Sequence, residues 1–581
     1  MFRKFVRLTT ILFFTTPFLM AQILPPDRRI DWDPGIPGGI PEITGPVKNI
    51  IDFGADPKGI NDSRAAIVSA MNALPSSGGV VFIPAGTFII KSKITVGKSN
   101  IVFRGEGRNS ILLMDFADDC FDIITYQRGD WQNLTTDIPK GTLTLTVPDG
   151  SKFKVNKYAE IEEDNDPDIM YTDPEWNQSW AEYAVGQLFR IKKIEGNELT
   201  FEAPVNFDFS SELNVSIRPQ GFVEYVGFEN FYIEKLKAGG NTFMFKNAAL
   251  CWMRNVESYH TRNSHVTMTA CYALEIRDNY FHRSFSYGGG GSGYGVSCDL
   301  HVTNSLIENN VFDSLRHAMM VHIGANGNVF GYNYSVHPVQ GDGETNLNQG
   351  WTPPDISIHG HYPFMNLFEG NDVMEIGIGD YWGPAGPGNT FFRNKVRGDG
   401  IIFYDHSDYQ NVIGNVTRIL RDNDNNSDFE LEHGNVVNGK VTWDPNIVDH
   451  TLPASYYLDS IPDFFNGSDW PVFGPDTQNS NKLPAQLRLE NLLSENSNKS
   501  IKKNEYNIYP NPCNSVLYIS NITKVKSIEL FDISGKKLTH QSPETESITL
   551  LDFSDYRDGL YLLRLIDKND FEKSVLIMHK N

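Results

Sequence analysis

LIENNVFDSLRHAMMVHIGANGNVFGYNYS, residues 306–335, holds short apolar runs broken by turns, and it marks those turns with asparagine. Asn309-Asn310-Val311 stands before one run and Tyr332-Asn333-Tyr334 before another. The same mark recurs at Asn255, Asn279, Asn371, Asn394, Asn415 and Asn435, in steps of 24, 31, 23, 38, 23, 21 and 20 residues. A period in the low twenties across β-rich runs signals a solenoid, with each repeat one coil that buries its inner face against its neighbours. The two long steps coincide with insertions, a glycine-rich loop over Tyr287–Gly295 and a Gly-, Asn- and Pro-rich stretch over Val336–Ile356. Asparagine suits the turns because it tolerates left-handed dihedrals and stacked amides can hydrogen-bond from coil to coil. A parallel β-helix is the expected architecture.

The chain of 581 residues has room for one large domain and a smaller one. Arg3, Lys4 and Arg7 precede an apolar run over Leu8–Met20, which reads as a signal peptide over residues 1–21. No later stretch is long and apolar enough for a membrane span, so export is expected. A formal charge of −22 argues against a nucleic-acid partner. The five cysteines, widely spaced, match neither a disulfide framework nor a CxxC metal pattern, and read as small buried hydrophobes. Positive charge is local instead. Between Arg254 and Arg283 seven Arg and His face three acids, and nine of the fourteen histidines lie between His260 and His361.

Residues 51–90, IDFGADPKGINDSRAAIVSAMNALPSSGGVVFIPAGTFII, follow a different grammar. Asp62 or Ser63 can cap a helix through Leu74, and Gly78-Gly79 leads into an apolar strand. Phe53-Gly54-Ala55-Asp56, the Asn61-Asp62 helix start, Phe82–Phe88 and Phe103-Arg104-Gly105-Glu106-Gly107 resemble the opening coil and helical cap of the pectate-lyase-like superfamily. That resemblance implies an all-β chain, a right-handed parallel β-helix with an N-terminal helical cap. Between about 119 and 219 the rhythm lapses into alternating strands around the acidic, aromatic stretch Glu162–Trp180, read as a β-rich insertion and a candidate cleft wall. Residues 22–485 are thus expected to form the catalytic domain and 486–504 a polar linker. Residues 505–581, with Tyr509-Pro510-Asn511-Pro512, Asp532-Ile533-Ser534-Gly535 and Gly559-Leu560-Tyr561-Leu562, resemble the C-terminal sorting domain of the type IX secretion system. That likeness implies a small β-sandwich, passage through that machinery, and release or attachment at the cell surface.

A β-helix hosts many functions, so chemistry must be argued from side chains. A glycoside hydrolase needs two carboxylates flanking the scissile bond. The signatures of the polygalacturonase-like branch are missing, His359-Gly360-His361 being a near miss, and Asp380, Asp399, Asp405 and Asp408 read as solvated loop carboxylates. A polysaccharide lyase needs a cation at the uronate carboxylate, a base and a proton donor. The His-rich middle supplies these, with His265, His282, Tyr294, His317 and His322 as catalytic candidates. Arg262, Arg283, Arg316, Trp351, His361 and Tyr381 are the candidates for holding substrate; Arg316 stands out because a guanidinium fork holds carboxylate bidentately. His317 and His322 are five apart, which sends them to opposite faces of an uninterrupted strand. Asp422–Asp428 has the outline of a calcium loop but puts Ser427 where glycine is required, so the metal is unassigned and Ca2+ is left open as a cofactor. The expected function is a secreted, monomeric, endo-acting lyase on an anionic polysaccharide, with ulvan ahead of alginate and pectin. A β-helix glycoside hydrolase and a non-catalytic glycan-binding protein are the alternatives.

Overall fold

The computed structural model describes residues 23–170, 178–339, 353–380 and 382–500, and residues 507–509, 513, 515–520, 525–542, 548–567 and 572–580. Thirty short strands hydrogen-bond, almost all in parallel, into one continuous sheet wound as a right-handed β-helix with three faces. On the first face Leu306–Glu308 pairs with Val329–Gly331, which pairs with Leu367–Glu369. On the second, Val311–Asp313 pairs with Tyr334–Val336. On the third, Tyr294–Asp299, His317–Val321 and Ile356–Ile358 stack in turn.

Inward side chains form one core, and like residues stack on like from coil to coil. Phe103 lies on Phe228 and Phe121 on Phe243, with ring centroids 5.2 and 5.5 Å apart and planes within 7°. All five cysteines are free and buried, Cys298 and its neighbours filling this core as expected of small hydrophobes.

The asparagine rhythm is a hydrogen-bonded ladder. Asn333 Oδ1 accepts from the backbone N–H and the side-chain amide of Asn310 at 2.9 and 3.0 Å. Asn333 in turn donates to Asn371 Oδ1 at 3.0 Å from each nitrogen, and the pattern continues through Asn394 and Asn415 to Asn435. The left-handed residue is the one before each rung, at Asp278, Asn309, Tyr332 and Arg393 among others. Asn255 occupies that preceding position (φ 54°) and is exposed, so it belongs to the turn and not to the ladder. A second ladder, Asn328–Asn366–Asn389–Gln410, runs up another corner.

The N-terminal helix spans Arg64–Asn72, two residues short of Leu74, and buries Ala66, Ile67, Ala70 and Met71. Asp62 Oδ1 caps it by accepting the Arg64 N–H at 3.0 Å. The insertion is a six-stranded antiparallel sheet running from Gln132–Asn133 to Ser216–Gln220. Its apolar face covers Ile323, Tyr362, Phe364 and Met365 of the coil turns. Close approach depends on Gly324: with φ +62°, a Cβ there would stand 1.7 Å from the Ala184 carbonyl oxygen. Gly324→Ala is therefore expected to weaken this attachment by more than about 1 kcal/mol, read as faster amide exchange over residues 184–188.

The chain divides into two compact units, Met1–Leu487 and Arg488–Asn581. The stretch expected as a polar linker is helical through most of its length, in a helix over Pro484–Ser500. In the second unit a three-stranded and a four-stranded antiparallel sheet share a core of Leu517, Ile519, Ile528, Leu530, Leu563 and Ile577.

Candidate active site

A groove of about 430 Å³ lies on the outer side of the third face. A defect in the strands places its residues. Ser264, Tyr294 and His317 are in register, as are Val266, Val296 and Met319, but the positions between them drop out of the pairing. Those intermediate residues point inward: His265 contacts Ser258 and Phe281, a Cβ on Gly295 would meet the Phe312 ring at 2.5 Å, and Ala318 belongs to the core. Val266, Val296 and Met319 also point inward. Two successive inward residues reset the alternation, so side chains five apart share the outer face. His317 and His322 therefore stand on one side, against the expectation for an uninterrupted strand.

Continuing the register, Asp299, His322 and His359 follow one another on successive coils at the end of the groove. The His322 and His359 rings are 5.1 Å apart, one coil step. At the other end the Tyr294 ring lies 5.0 Å from His317 and 6.5 Å from His359. Arg316 stands over Tyr294 at 6.0 Å, and one of its guanidinium nitrogens donates to the Gly288 carbonyl at 3.1 Å. The insertion contributes Trp180, whose ring meets His322, His361 and Trp382 at 5.4, 4.8 and 5.5 Å, so it does wall the groove.

The electrostatics are graded. His359 Nδ1 is ion-paired with Asp380. Burial pushes the Asp380 carboxyl up, but the charge and hydrogen bond of His359 and the Trp382 N–H outweigh it and hold the group below its ordinary range. Burial pushes Asp299 up to about 6, against a hydrogen bond from Ser297 and the His359 charge. His322 is held well below the ordinary imidazole range, first by burial and then by the His359 charge, and so is neutral. Its Nε2 lies 2.7 Å from His361 Nδ1. His317 is likewise depressed, by burial and then by Arg316 and His359. Its Nδ1 donates to the Pro354 carbonyl at 2.8 Å, which leaves Nε2 a buried lone pair without a hydrogen bond among the described residues.

Of the sequence candidates, Tyr294, Arg316, His317, His322 and His361 come together here. Four do not. His265 is fully buried in the core, with Nδ1 at Ser258 Oγ and Nε2 at the Arg283 carbonyl. His282 sits on the second face, stacked on Tyr280 and 3.1 Å from Glu257. Arg283 is exposed at the end of the same strand, and Arg262 bonds Ser292 at the base of the glycine-rich loop. Trp351 and Tyr381 lie outside the described residues. Sequence reasoning missed Asp299, His359 and Trp180, and it set Asp380 aside as a solvated loop acid. The signal that could have found Asp299 and His359 is register: residues one coil apart share a position only once the kink is known.

The acidic groups of the calcium-loop outline and of the groove make hydrogen bonds and ion pairs within the chain. Asp422 Oδ2 accepts the Ser427 N–H at 2.9 Å, and Asp424 Oδ2 accepts the Asp405 N–H at 3.1 Å. In the groove Asp380 is committed to His359 and Asp299 to Ser297. Among the described residues one trio of potential ligands lies within 4.8 Å, Glu160, Glu162 and His301. Arg218 already donates to Glu160, and both His301 nitrogens are engaged, so this trio is an ion-pair cluster.

Residues 47–119 match the rhamnogalacturonase A/epimerase, pectate lyase-like family, and residues 507–579 match the secretion system C-terminal sorting domain. No curated protein matches the chain by sequence. Similar solved structures include the tailspike gp61 of Pseudomonas phage phi297, at 12% identity and TM-score 0.45 over 67% of this chain and 65% of that one. The tailspike gp49 of Pseudomonas phage LKA1 aligns at 14% and 0.48 over 64% of each chain. The A-module of the mannuronan C-5 epimerase AlgE6 of Azotobacter vinelandii aligns at 12% and 0.26, over 68% of this chain and 100% of that one. This chain spans less than two thirds of either tailspike's length, and activity does not follow from likenesses at this level. No helix among the described residues is long and apolar enough to cross a membrane. The chain is a secreted or cell-surface parallel β-helix protein that matches the pectate lyase-like family over residues 47–119 and the secretion system C-terminal sorting domain over residues 507–579.

Proposed function

We propose that the groove cleaves an acidic polysaccharide by β-elimination. The observation that carries this reading is the convergence of a carboxylate-oriented imidazole, His359 with Asp380, on a phenol, Tyr294, that lies under a guanidinium, Arg316. Arg316 pairs with the uronate carboxylate and stabilises the charge that develops when the adjacent carbon loses its proton. His359 Nε2 takes that proton, with Nδ1–H held by Asp380 so that the ring keeps its base tautomer. The C–H electron pair becomes the new double bond, the glycosidic C–O bond breaks, and the Tyr294 phenol returns a proton to the leaving oxygen. Trp180 and Trp382 offer ring faces for the sugars, and an open groove on a long helix suits internal sites on a polymer. Ulvan is the substrate we place first, because the site is rich in His and Tyr and no calcium cage of aspartates stands among its described residues.

The test is product chemistry. Incubation with ulvan, alginate and polygalacturonate is expected to release unsaturated uronate, read by its ultraviolet absorbance. Arg316→Ala is expected to lower kcat/KM about 100-fold, with Arg316→Lys recovering only part. Because Arg316 takes the role a bridging cation would play, EDTA is expected to leave turnover within about twofold.

One observation favours hydrolysis as a second reading. Asp299 is raised to about 6 while Asp380 is lowered, and carboxyls driven apart in this way mark an acid and a base. Hydrolysis needs Asp299 protonated and is therefore expected to fade as pH rises through about 6. New reducing ends without the unsaturated product would establish hydrolysis. Neither signal, with retained binding, would make this a glycan-binding protein.

A further inference from the structure

We infer that His301 is a positioning residue: held doubly protonated between the β-helix and the insertion, it grips Glu160 and the Tyr183 carbonyl together and so seats Trp180 on the groove. This rests on the reading of the groove as the site.

His301 is a fully buried turn residue, with φ +55°, just past the strand that ends at Asp299. Its Nε2 lies 2.8 Å from the Tyr183 carbonyl oxygen. A carbonyl only accepts, so Nε2 carries a hydrogen. Its Nδ1 lies 2.9 Å from Glu160 Oε1. Arg218 donates to the other oxygen of that carboxylate from Nε at 2.9 Å and from a terminal nitrogen, which keeps Glu160 ionised. A ring lone pair cannot face an ionised carboxylate at that distance, so Nδ1 carries a hydrogen as well. The fit is close: a Cβ on Gly186 would fall 2.4 Å from His301 Cε1 and Nε2.

The remaining polar and charged groups around the ring are few. Glu162 stands on the Glu160 strand and Arg218 on its neighbour; Arg128 acts on Glu162. On the helix side Thr303 Oγ1 donates to the His301 carbonyl and accepts the Leu188 N–H. Burial works against the imidazolium, but the Glu160 hydrogen bond and charge and the Glu162 charge prevail, and His301 is raised above the ordinary range. The sign follows from that direction. The grip is complete at low pH and is lost as pH rises through the folded-state value. Trp180 is three residues before Tyr183, so losing the Tyr183 contact frees the segment that walls the groove.

The test is hydrogen exchange of the full chain over residues 178–190, corrected for the intrinsic rate, between about pH 6 and 9. Wild type is expected to lose protection in one step above the ordinary imidazole range, by up to about tenfold for each pH unit by which His301 is raised. Glu160→Gln, which keeps the shape and removes the charge, is expected to move the step down by about one unit or more. His301→Gln is expected to abolish it. A step unmoved in both variants, or no step in wild type, overturns the proposal; should His301→Gln fail to fold, Glu160→Gln decides. KM for the acidic polysaccharide is expected to rise several-fold across the wild-type step and in Trp180→Phe, with kcat little changed. An exchange step that behaves as described while KM stays constant would uphold the grip and overturn the reading of the groove.

Discussion

His359→Ala is expected to lower kcat by about 10²- to 10⁴-fold, the usual worth of a positioned general base, with KM changed little. The ring borders the groove with Nε2 as its remaining nitrogen, because Nδ1 is taken by Asp380. Asp380→Asn is expected to lower kcat in the same direction, since an amide can offer its N–H to Nδ1 and stabilise the tautomer with the lone pair on the wrong side. His282→Ala serves as the control. That residue pairs with Glu257 on another face, and its loss is expected to leave kcat within about twofold. Steady-state kinetics on an anionic polysaccharide checks all three. Full activity in His359→Ala would remove the proposed base, and attention would pass to His317, whose buried Nε2 has its lone pair to offer.

Asn333→Ala is expected to destabilise the β-helix by about 3–5 kcal/mol, measured as a shift in the urea midpoint at constant slope. The truncation removes the acceptor for two Asn310 donors at 2.9 and 3.0 Å. It also removes the donor to the Ile307 carbonyl at 2.9 Å and to Asn371. Each buried group left unpaired costs about 1–3 kcal/mol, and the rung is wholly buried, so water cannot substitute without opening the coil. Asn255→Gly tests the other role of the motif. There the side chain is exposed and the backbone is left-handed, so glycine is expected to change stability by less than about 1 kcal/mol. Equal effects at the two positions would mean that the ladder is not the stabilising element.

The rhythm of asparagines was readable because a solenoid repeats one solution to one problem, the turn between strands of successive coils. The two roles within the mark were not. Asn255 and Asn333 stand in like contexts, and only the pairing of coils shows that one is a turn residue and the other a rung. The groove was half legible. Tyr294, Arg316, His317, His322 and His361 could be nominated because basic and aromatic residues crowd that part of the chain. His265 and His282 met the same description and fell elsewhere, since composition carries no information about which face a strand residue takes.

From the sequence alone came the β-helix, its helical cap, the secretion domain and the basic, aromatic stretch of chain that contributes to the groove. All of these are periodic or local properties, and the chain states them in order. The tertiary structure decided which side chains meet. Asp299, His322 and His359 are joined by coil stacking, with Asp380 set behind His359, and Trp180 arrives from an insertion more than a hundred residues earlier. The inward pair at 265–266, 295–296 and 318–319 then turns His317 and His322 to one face. Such a kink shifts the inward–outward alternation by one residue while the coils stay in register, and it leaves no compositional trace, so the face could be read only from the fold.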